Sequence, residues 1–129
     1  MKVKVNEQPQ RFYLAMDNWF AAVGHGIQIG DIQLCAIPMD GIINISEVTS
    51  GARMMRYQLN FIEWLITEDK EGFLNYLQRV GEDLVKRLSK HKDLDQQIEK
   101  LRDVAIERLG PMPAIEDVDV EELLERAQQ

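Results

Sequence analysis

The stretch that decides the fold is residues 49–66, TSGARMMRYQLNFIEWLI, where the spacing of apolar residues changes. Before Asn60, apolar residues come in short runs that glycine, proline and aspartate interrupt, which is typical of β-strands and tight turns. After Asn60, apolar residues recur every three or four positions, as they do along one face of an α-helix. The sequence therefore predicts an α+β fold, with a strand-rich part at residues 1–59 and a helical part at residues 60–110.

Three segments before Asn60 have the composition of antiparallel strands joined by short turns. They cover residues 27–37, 42–48 and 53–59. Gly30-Asp31 can interrupt the first of these segments with a tight turn. The connection Pro38–Gly41 suits a hairpin because aspartate and glycine tolerate positive φ, and Thr49–Gly51 turns the chain again. With a further alternating strand at Lys2–Val5, these segments predict an N-terminal antiparallel β-meander of three to four strands.

Residues 12–23 fit two different structures. Apolar residues at positions 12, 14 and 16 share one face of a strand, whereas those at 12, 16, 19, 20 and 23 share one face of a helix. We expect a strand to about Ala15 and then a short helix that Asp17 caps. One continuous helix is the alternative, and in either case Gly24-His25-Gly26 ends the element.

The residues after Asn60 predict a short apolar helix and a long amphipathic one. Asn60 or Thr67 is a suitable N-cap, and Phe61–Ile66 is short and strongly apolar. The amphipathic helix extends from Glu68 to about Lys90, with acidic residues in its first turn and basic residues in its last turn. This order of charges complements the helix dipole.

A second long helix follows a short connection at residues 89–92. Asp93 is its expected N-cap, and Gly110 followed by Pro111 ends it. Because the connection is so short, we expect the two long helices to form an antiparallel helical hairpin packed against the sheet. The expected core joins strand and helix residues: Phe12, Trp19, Leu34, Ile45, Tyr57, Trp64, Leu77, Leu84, Ile98 and Leu101.

Residues 1–110 are expected to form one domain, followed by an acidic, proline-bounded C-terminal tail at residues 111–129. The tail holds six acidic residues against one basic residue, Arg126, so it carries −5 of the formal net charge of −7. We expect a short acidic C-terminal helix there, capped by Asp117 or Asp119. The remaining part of the chain is close to neutral.

Charge and composition exclude several broad classes of protein. An acidic chain lacks the basic face that a general nucleic-acid-binding protein needs, so we expect no direct nucleic-acid binding. A single cysteine, Cys35, cannot form an internal disulfide. The first six residues are too polar for a signal peptide, and no apolar run approaches the length of a membrane span. We therefore expect a soluble, cytoplasmic protein without membrane contact.

Candidate catalytic chemistry is sparse. His25 between two glycines is the sharpest candidate for a general base, but no partner residue at a known spacing orients it. Cys35 is expected to be a buried thiol, and Asp17 is explained as a cap or turn residue. One cysteine and two histidines are too few for a structural zinc site. The sequence therefore predicts no catalytic residue, no metal ligand and no cofactor.

Three functional hypotheses follow. The first is a non-enzymatic accessory or interaction module that binds a protein partner or itself. Its contact residues would come from the tail: Val120, Glu121, Glu122, Leu123 and Leu124. The same apolar residues are equally suited to docking on the protein's own body. The second hypothesis is a small enzyme or ligand-binding domain with a site near His25, Cys35 and Asp17. The third and weakest is an acidic mimic of nucleic acid.

Overall fold

The computed structural model describes residues 2–121, which form seven antiparallel β-strands and three α-helices. The strands are β1 (Val3–Val5), β2 (Gln10–Ala15), β3 (Trp19–Ile29), β4 (Ile32–Met39), β5 (Ile42–Glu47), β6 (Arg53–Gln58) and β7 (Glu116–Asp117). The helices are α1 (Phe61–Ile66), α2 (Lys70–Leu88) and α3 (Leu94–Leu109). The α+β class is confirmed, and the predicted sheet of three to four strands is too small.

The strands are ordered β6-β5-β4-β3-β2-β7, and β1 pairs separately with β3. This arrangement is possible because β3 is long enough for its two halves to pair with different strands. Its first half, Trp19–Gly24, pairs with β2, and its second half pairs with β1 and β4. The sheet also curls, since the amide of Ala15 at the end of β2 donates to the carbonyl of Gly51 at 2.9 Å.

The predicted short helix after Asp17 is wrong, and so is the alternative of one continuous helix. Residues 16–18 form a tight turn, and β3 begins immediately at Trp19. The predicted end of the element at Gly24-His25-Gly26 is also wrong, because β3 continues through it. A glycine is needed inside the strand, since a Cβ at Gly24 would collide with the backbone carbonyl of Ala36.

Opposite faces of the sheet pack against different parts of the chain. Leu34 and Ala36 of β4 lie in the larger core, which α2 covers with residues such as Leu77 and Leu84. Cys35 and Ile37 point to the other face, because side chains alternate along a strand. They pack there with Phe12 and Leu14 of β2 and with Ile115. Both faces of β4 are therefore buried.

The predicted antiparallel hairpin of two long helices is only partly correct. Helix α3 follows α2 after a short connection, but it does not pack along α2. Asp93 has a left-handed backbone with a φ of 61° and makes no side-chain cap bond. The guanidinium of Arg102 instead donates to Thr49 Oγ1 at 3.0 Å, and that of Arg108 donates to the carbonyl of Met16 at 2.6 Å. Helix α3 therefore contacts turns of the sheet.

The first part of the acidic tail belongs to the sheet. β7 pairs with β2, Val118 is buried, and its amide donates to the carbonyl of Pro9 at 2.9 Å. The predicted short acidic C-terminal helix is thus preceded by a strand, and Val120 and Glu121 have helical backbone. The rest of that predicted helix, residues 122–129, lies outside the described residues.

Six of the ten predicted core residues are buried, two are partly buried and two are exposed. Phe12, Leu34, Ile45, Leu77, Leu84 and Ile98 are buried as predicted. Trp19 and Tyr57 are partly buried. Trp64 and Leu101 are exposed, so these two core predictions are wrong. Among the helices of residues 2–121, none is both long enough and apolar enough to cross a membrane.

Candidate functional site

Helix α1 is the most unusual surface feature of the described chain. Five of its six residues are large and apolar, and the helix has no buried residue. Phe61 is 70% exposed, Ile62 66% and Trp64 53%, and Leu65 and Ile66 are exposed as well. Contiguous apolar surface of this kind is typical of a contact site for another molecule. We call these five side chains the α1 face.

Local hydrogen bonds explain why α1 is helical without a buried face. The Asn60 side chain accepts from the amide of Glu63 at 2.8 Å, and the Glu63 carboxylate accepts from the amide of Asn60 at 3.1 Å. This pair is a capping box, which satisfies two amides at the start of the helix. The hydroxyl of Thr67 donates to the carbonyl of Trp64 at the other end. The helix is therefore held at both ends by its own sequence.

A cleft of about 1010 Å³ lies beside the α1 face. Trp64 belongs to both, so the cleft and the α1 face are continuous. The remaining apolar lining comes from several elements and includes Met39, Ile42, Leu59, Phe73, Val118 and Val120. The site is therefore assembled from the β4–β5 hairpin, the start of α2 and the segment after β7.

His25 lines the same cleft, and its ring is oriented by two contacts. Its Nδ1 lies 2.9 Å from the carbonyl oxygen of Asn6, and its ring centroid lies 5.7 Å from that of Phe73. A carbonyl oxygen only accepts, so Nδ1 must carry a proton and donate it. The neutral ring therefore has its lone pair on Nε2, which is the atom that a general base or a hydrogen-bond acceptor would use.

The cleft has a strongly acidic rim. Six carboxylates and one lysine, Lys70, contribute to its lining. The carboxylates, which we call the acidic rim, belong to Asp40, Glu68, Asp69, Asp117, Asp119 and Glu121. All six residues are exposed. The formal charge of these seven residues is −5, so the field at the cleft favours cations.

Some carboxylates of the acidic rim also have structural roles. Asp69 is the N-cap of α2, and its side chain accepts from the amide of Gly72 at 2.6 Å. Asp117 accepts from the side-chain amide of Gln10 at 3.0 Å, and Asp119 accepts from the amide of Glu121 at 3.0 Å. These bonds fix the positions of three of the six carboxylates of the acidic rim.

The structure does not bring the three predicted candidates His25, Cys35 and Asp17 together. His25 pairs with Ala36 and contacts Phe73 of α2, so it lies on the α2 side of the sheet. Cys35 is buried on the opposite face, and this burial raises the pKa of its thiol to about 12. Because its thiol is buried and its pKa is raised, Cys35 is poorly suited to act as a nucleophile. Asp17 lies in the turn between β2 and β3 and does not line the cleft.

Two of the predicted contact residues of the tail line the cleft. Val120 and Glu121 are exposed there, whereas Glu122, Leu123 and Leu124 lie outside the described residues. The exposure of the α1 face was not predicted from the sequence, because Trp64 was assigned to the core. A usable signal was present, since a short helix with five apolar residues out of six cannot bury all of their side chains against one neighbour.

Metal chemistry and similarity to other proteins add no further residues to the site. Within residues 2–121, no group of three or more His, Cys, Asp or Glu side chains is placed to hold a metal ion. Comparisons with known protein families, curated proteins and solved structures find no match to this chain. The candidate site therefore consists of the α1 face, the adjoining cleft with His25, and the acidic rim.

Proposed function

We propose that this protein is a non-enzymatic, cytoplasmic protein–protein interaction module whose contact surface is the α1 face. The observation that carries the proposal is that a six-residue helix with five large apolar residues buries none of them. Burying such side chains against a partner contributes about 25 cal/mol per Å² of apolar surface. Tryptophan is enriched among the residues that dominate binding energies, and Trp64 lies at the border of the α1 face and the cleft.

The charge of the site supports a protein partner over nucleic acid. The acidic rim would repel phosphate groups, and the chain has a formal net charge of −7. Val120 and Glu121, two of the contact residues predicted in the tail, line the adjoining cleft and are included in the proposed contact surface. Self-association through the α1 face is the other form that this function can take.

A pair of double variants tests the proposal. Ile62→Ser with Trp64→Ser removes two side chains of the α1 face, and Leu101→Ser with Val104→Ser removes two exposed apolar side chains of α3 as a matched control. We expect the α1 variant to lose partner capture from the host and any concentration-dependent increase in mass by light scattering. The α3 variant should retain both.

Thermal melts serve as the folding control for these variants. Both should keep their melting temperature, since exposed substitutions usually change stability by less than about 0.5 kcal/mol. An α1 variant that remains folded and retains every association of the unmodified protein would overturn the proposal.

A second candidate function is supported by His25. It lines a cleft of about 1010 Å³, a volume at the upper end of the range for small-molecule sites, and the lone pair of its neutral ring lies on Nε2. A small-ligand or enzymatic role would use this atom. Ligand-observed NMR screening of the unmodified protein and of His25→Ala tests it, with His91→Ala as the control outside the cleft. Ligands that bind equally well to all three proteins would argue against this role.

A further inference from the structure

The α1 face and the acidic rim adjoin each other, and together they restrict what can bind. Apolar side chains from Trp64, Met39 and Phe73 lie in the lining, and carboxylates such as Glu68 and Asp40 are exposed around them. A purely apolar partner would bury the acidic rim without compensation, which is costly for charged groups. A purely cationic partner would leave the apolar lining in contact with water. A complementary partner must therefore offer both kinds of side chain.

The charges argue against residues 122–129 of the chain itself as the occupant. This segment contains Leu123 and Leu124, but it also contains Glu122 and Glu125 against Arg126 alone. Placing further carboxylates beside the acidic rim brings like charges together, which is unfavourable. The same argument applies to anionic lipid surfaces and to nucleic acids, because both present phosphate groups.

The charges are also a weak match for a second copy of the chain. Its main basic cluster is at the end of α2, at Lys86, Arg87, Lys90 and Lys92. Arg87 already donates to Asp83 at 2.8 Å, and Asp93 and Asp95 follow the cluster directly. This surface offers mixed charge and little exposed apolar surface, so it complements the acidic rim only in part.

We propose that the cleft and the α1 face bind a cationic amphipathic segment of a partner protein. Its apolar side chains would contact Trp64 and the cleft lining, and its lysine or arginine side chains would pair with the acidic rim. This inference rests on the proposed function, because it assigns the chemistry of the partner to the same contact surface. It accounts for the presence of both an exposed apolar helix and a concentration of carboxylates at one place.

Three synthetic peptides of equal length test the chemistry of the partner. The first peptide places Leu on one face of a helix and Lys on the other. The second peptide replaces every Lys with Glu, and the third replaces every Leu with Ser. Binding to the full-length protein is measured by fluorescence anisotropy at two salt concentrations. We expect the Leu/Lys peptide to bind at least about tenfold more tightly than the other two, and its affinity to fall as salt rises.

Charge-reversal variants locate the site of binding. Glu68→Lys with Glu121→Lys changes two carboxylates of the acidic rim, whereas Glu99→Lys with Asp103→Lys changes two exposed acids of α3 by the same amount. The rim variant should bind the Leu/Lys peptide about fivefold to tenfold more weakly, and the α3 variant should bind within about twofold of the unmodified protein. Trp64→Ser should weaken binding by about tenfold or more.

Several outcomes would overturn the inference. Equal binding of the Ser/Lys peptide would indicate charge alone, and equal binding of the Leu/Glu peptide would indicate apolar contact alone. Equal loss of affinity in both charge-reversal variants would indicate net charge and not the cleft. A dimer that dissociates in Trp64→Ser, with no peptide discrimination, would identify a second copy as the occupant.

The tests of the two proposals give separate answers. If the three peptides bind with equal affinity but the α1 double variant still loses its associations, the proposed cationic amphipathic partner is wrong and the proposed function stands. If the α1 double variant keeps its associations, the proposed function itself is wrong.

Discussion

Helices α1 and α2 follow one another in the chain, but they differ in how far their apolar side chains are buried. Helix α2 buries a stripe that includes Leu77, Val80 and Leu84 against the sheet. Helix α1 has a higher proportion of apolar residues and buries none. Both helices begin with a side-chain cap, so the difference does not lie in how they start.

The comparison teaches that apolar content and burial are separate properties. Helix α2 is amphipathic, so a single orientation against the sheet buries its apolar side and leaves its polar side in water. Helix α1 is apolar on most of its surface, so no single orientation against the sheet buries all of its apolar side chains. Its side chains therefore remain in contact with water unless another molecule covers them, which is the basis of the interaction function proposed here.

Truncation of one leucine in each helix provides the strongest test of this comparison. Leu84→Ala in α2 should lower the free energy of unfolding by about 2–5 kcal/mol, because it leaves a cavity in the core. Leu65→Ala in α1 should lower it by less than about 0.5 kcal/mol, because the side chain is exposed. Chemical denaturation of both variants measures the difference. Equal losses would mean that α1 is part of the folded core.

A hydrogen bond between β6 and α2 provides the second test, because it joins α2 to the sheet. The Tyr57 hydroxyl donates to the Asp83 carboxylate at 2.6 Å, and Arg87 donates to the same carboxylate. The hydrogen bonds from Tyr57 and Arg87 lower the pKa of Asp83, and burial together with Asp83 raises the pKa of Tyr57. Tyr57→Phe should cost about 1 kcal/mol at pH 7, a modest value because Asp83 is partly exposed.

The cost of Tyr57→Phe should depend on pH in a defined direction. Since the folded-state pKa of Asp83 is lowered, its stabilisation is present above the unfolded value of about 3.9 and is lost as the pH falls below it. Since the folded-state pKa of Tyr57 is raised, its stabilisation is present below the unfolded value of about 10 and is lost as the pH rises above it. A cost that is constant from pH 3 to pH 11 would contradict this assignment.

The two N-caps provide the smallest and most direct comparison. Asp69→Ala removes the cap of α2 and should lower global stability by about 1 kcal/mol. Asn60→Ala removes the cap of α1 and should change the global melt by less than about 0.5 kcal/mol, because α1 contributes no buried residue. Its effect should appear as faster amide hydrogen exchange within α1. Equal changes in the two melts would show that α1 and α2 unfold as one unit.

Several parts of the fold could be predicted from local pattern. The turns at Gly30 and at Asp40–Gly41 and the cap at Asn60 agree with the structure, because each depends on a few neighbouring residues. The long helix was predicted to begin at Glu68, whereas its N-cap is Asp69. The amphipathic period of α2 likewise identified its buried face. The start of β3 was missed because residues 12–23 fit two periods equally well, and pairing with β2 decides between them.

The candidate site was less predictable than the fold. His25 was identified as a candidate from its glycine neighbours, but the cleft that it lines is built by elements far apart in the sequence. Trp64 was assigned to the core because large aromatic residues are usually buried there. Its exposure follows from where α1 lies relative to the sheet, which the residues of α1 do not determine.

The sequence by itself determined the α+β class, most of the strands and turns, the cap of α1, and the uneven distribution of charge. These properties depend on local conformational preference and on counting residues. Only the tertiary structure decided that β3 is shared by two sets of strands, that α3 lies against the turns, and that β7 returns the acidic segment to the sheet. The physical reason is that pairing and burial are satisfied between distant residues, so the same apolar helix can be core or contact surface according to what packs against it.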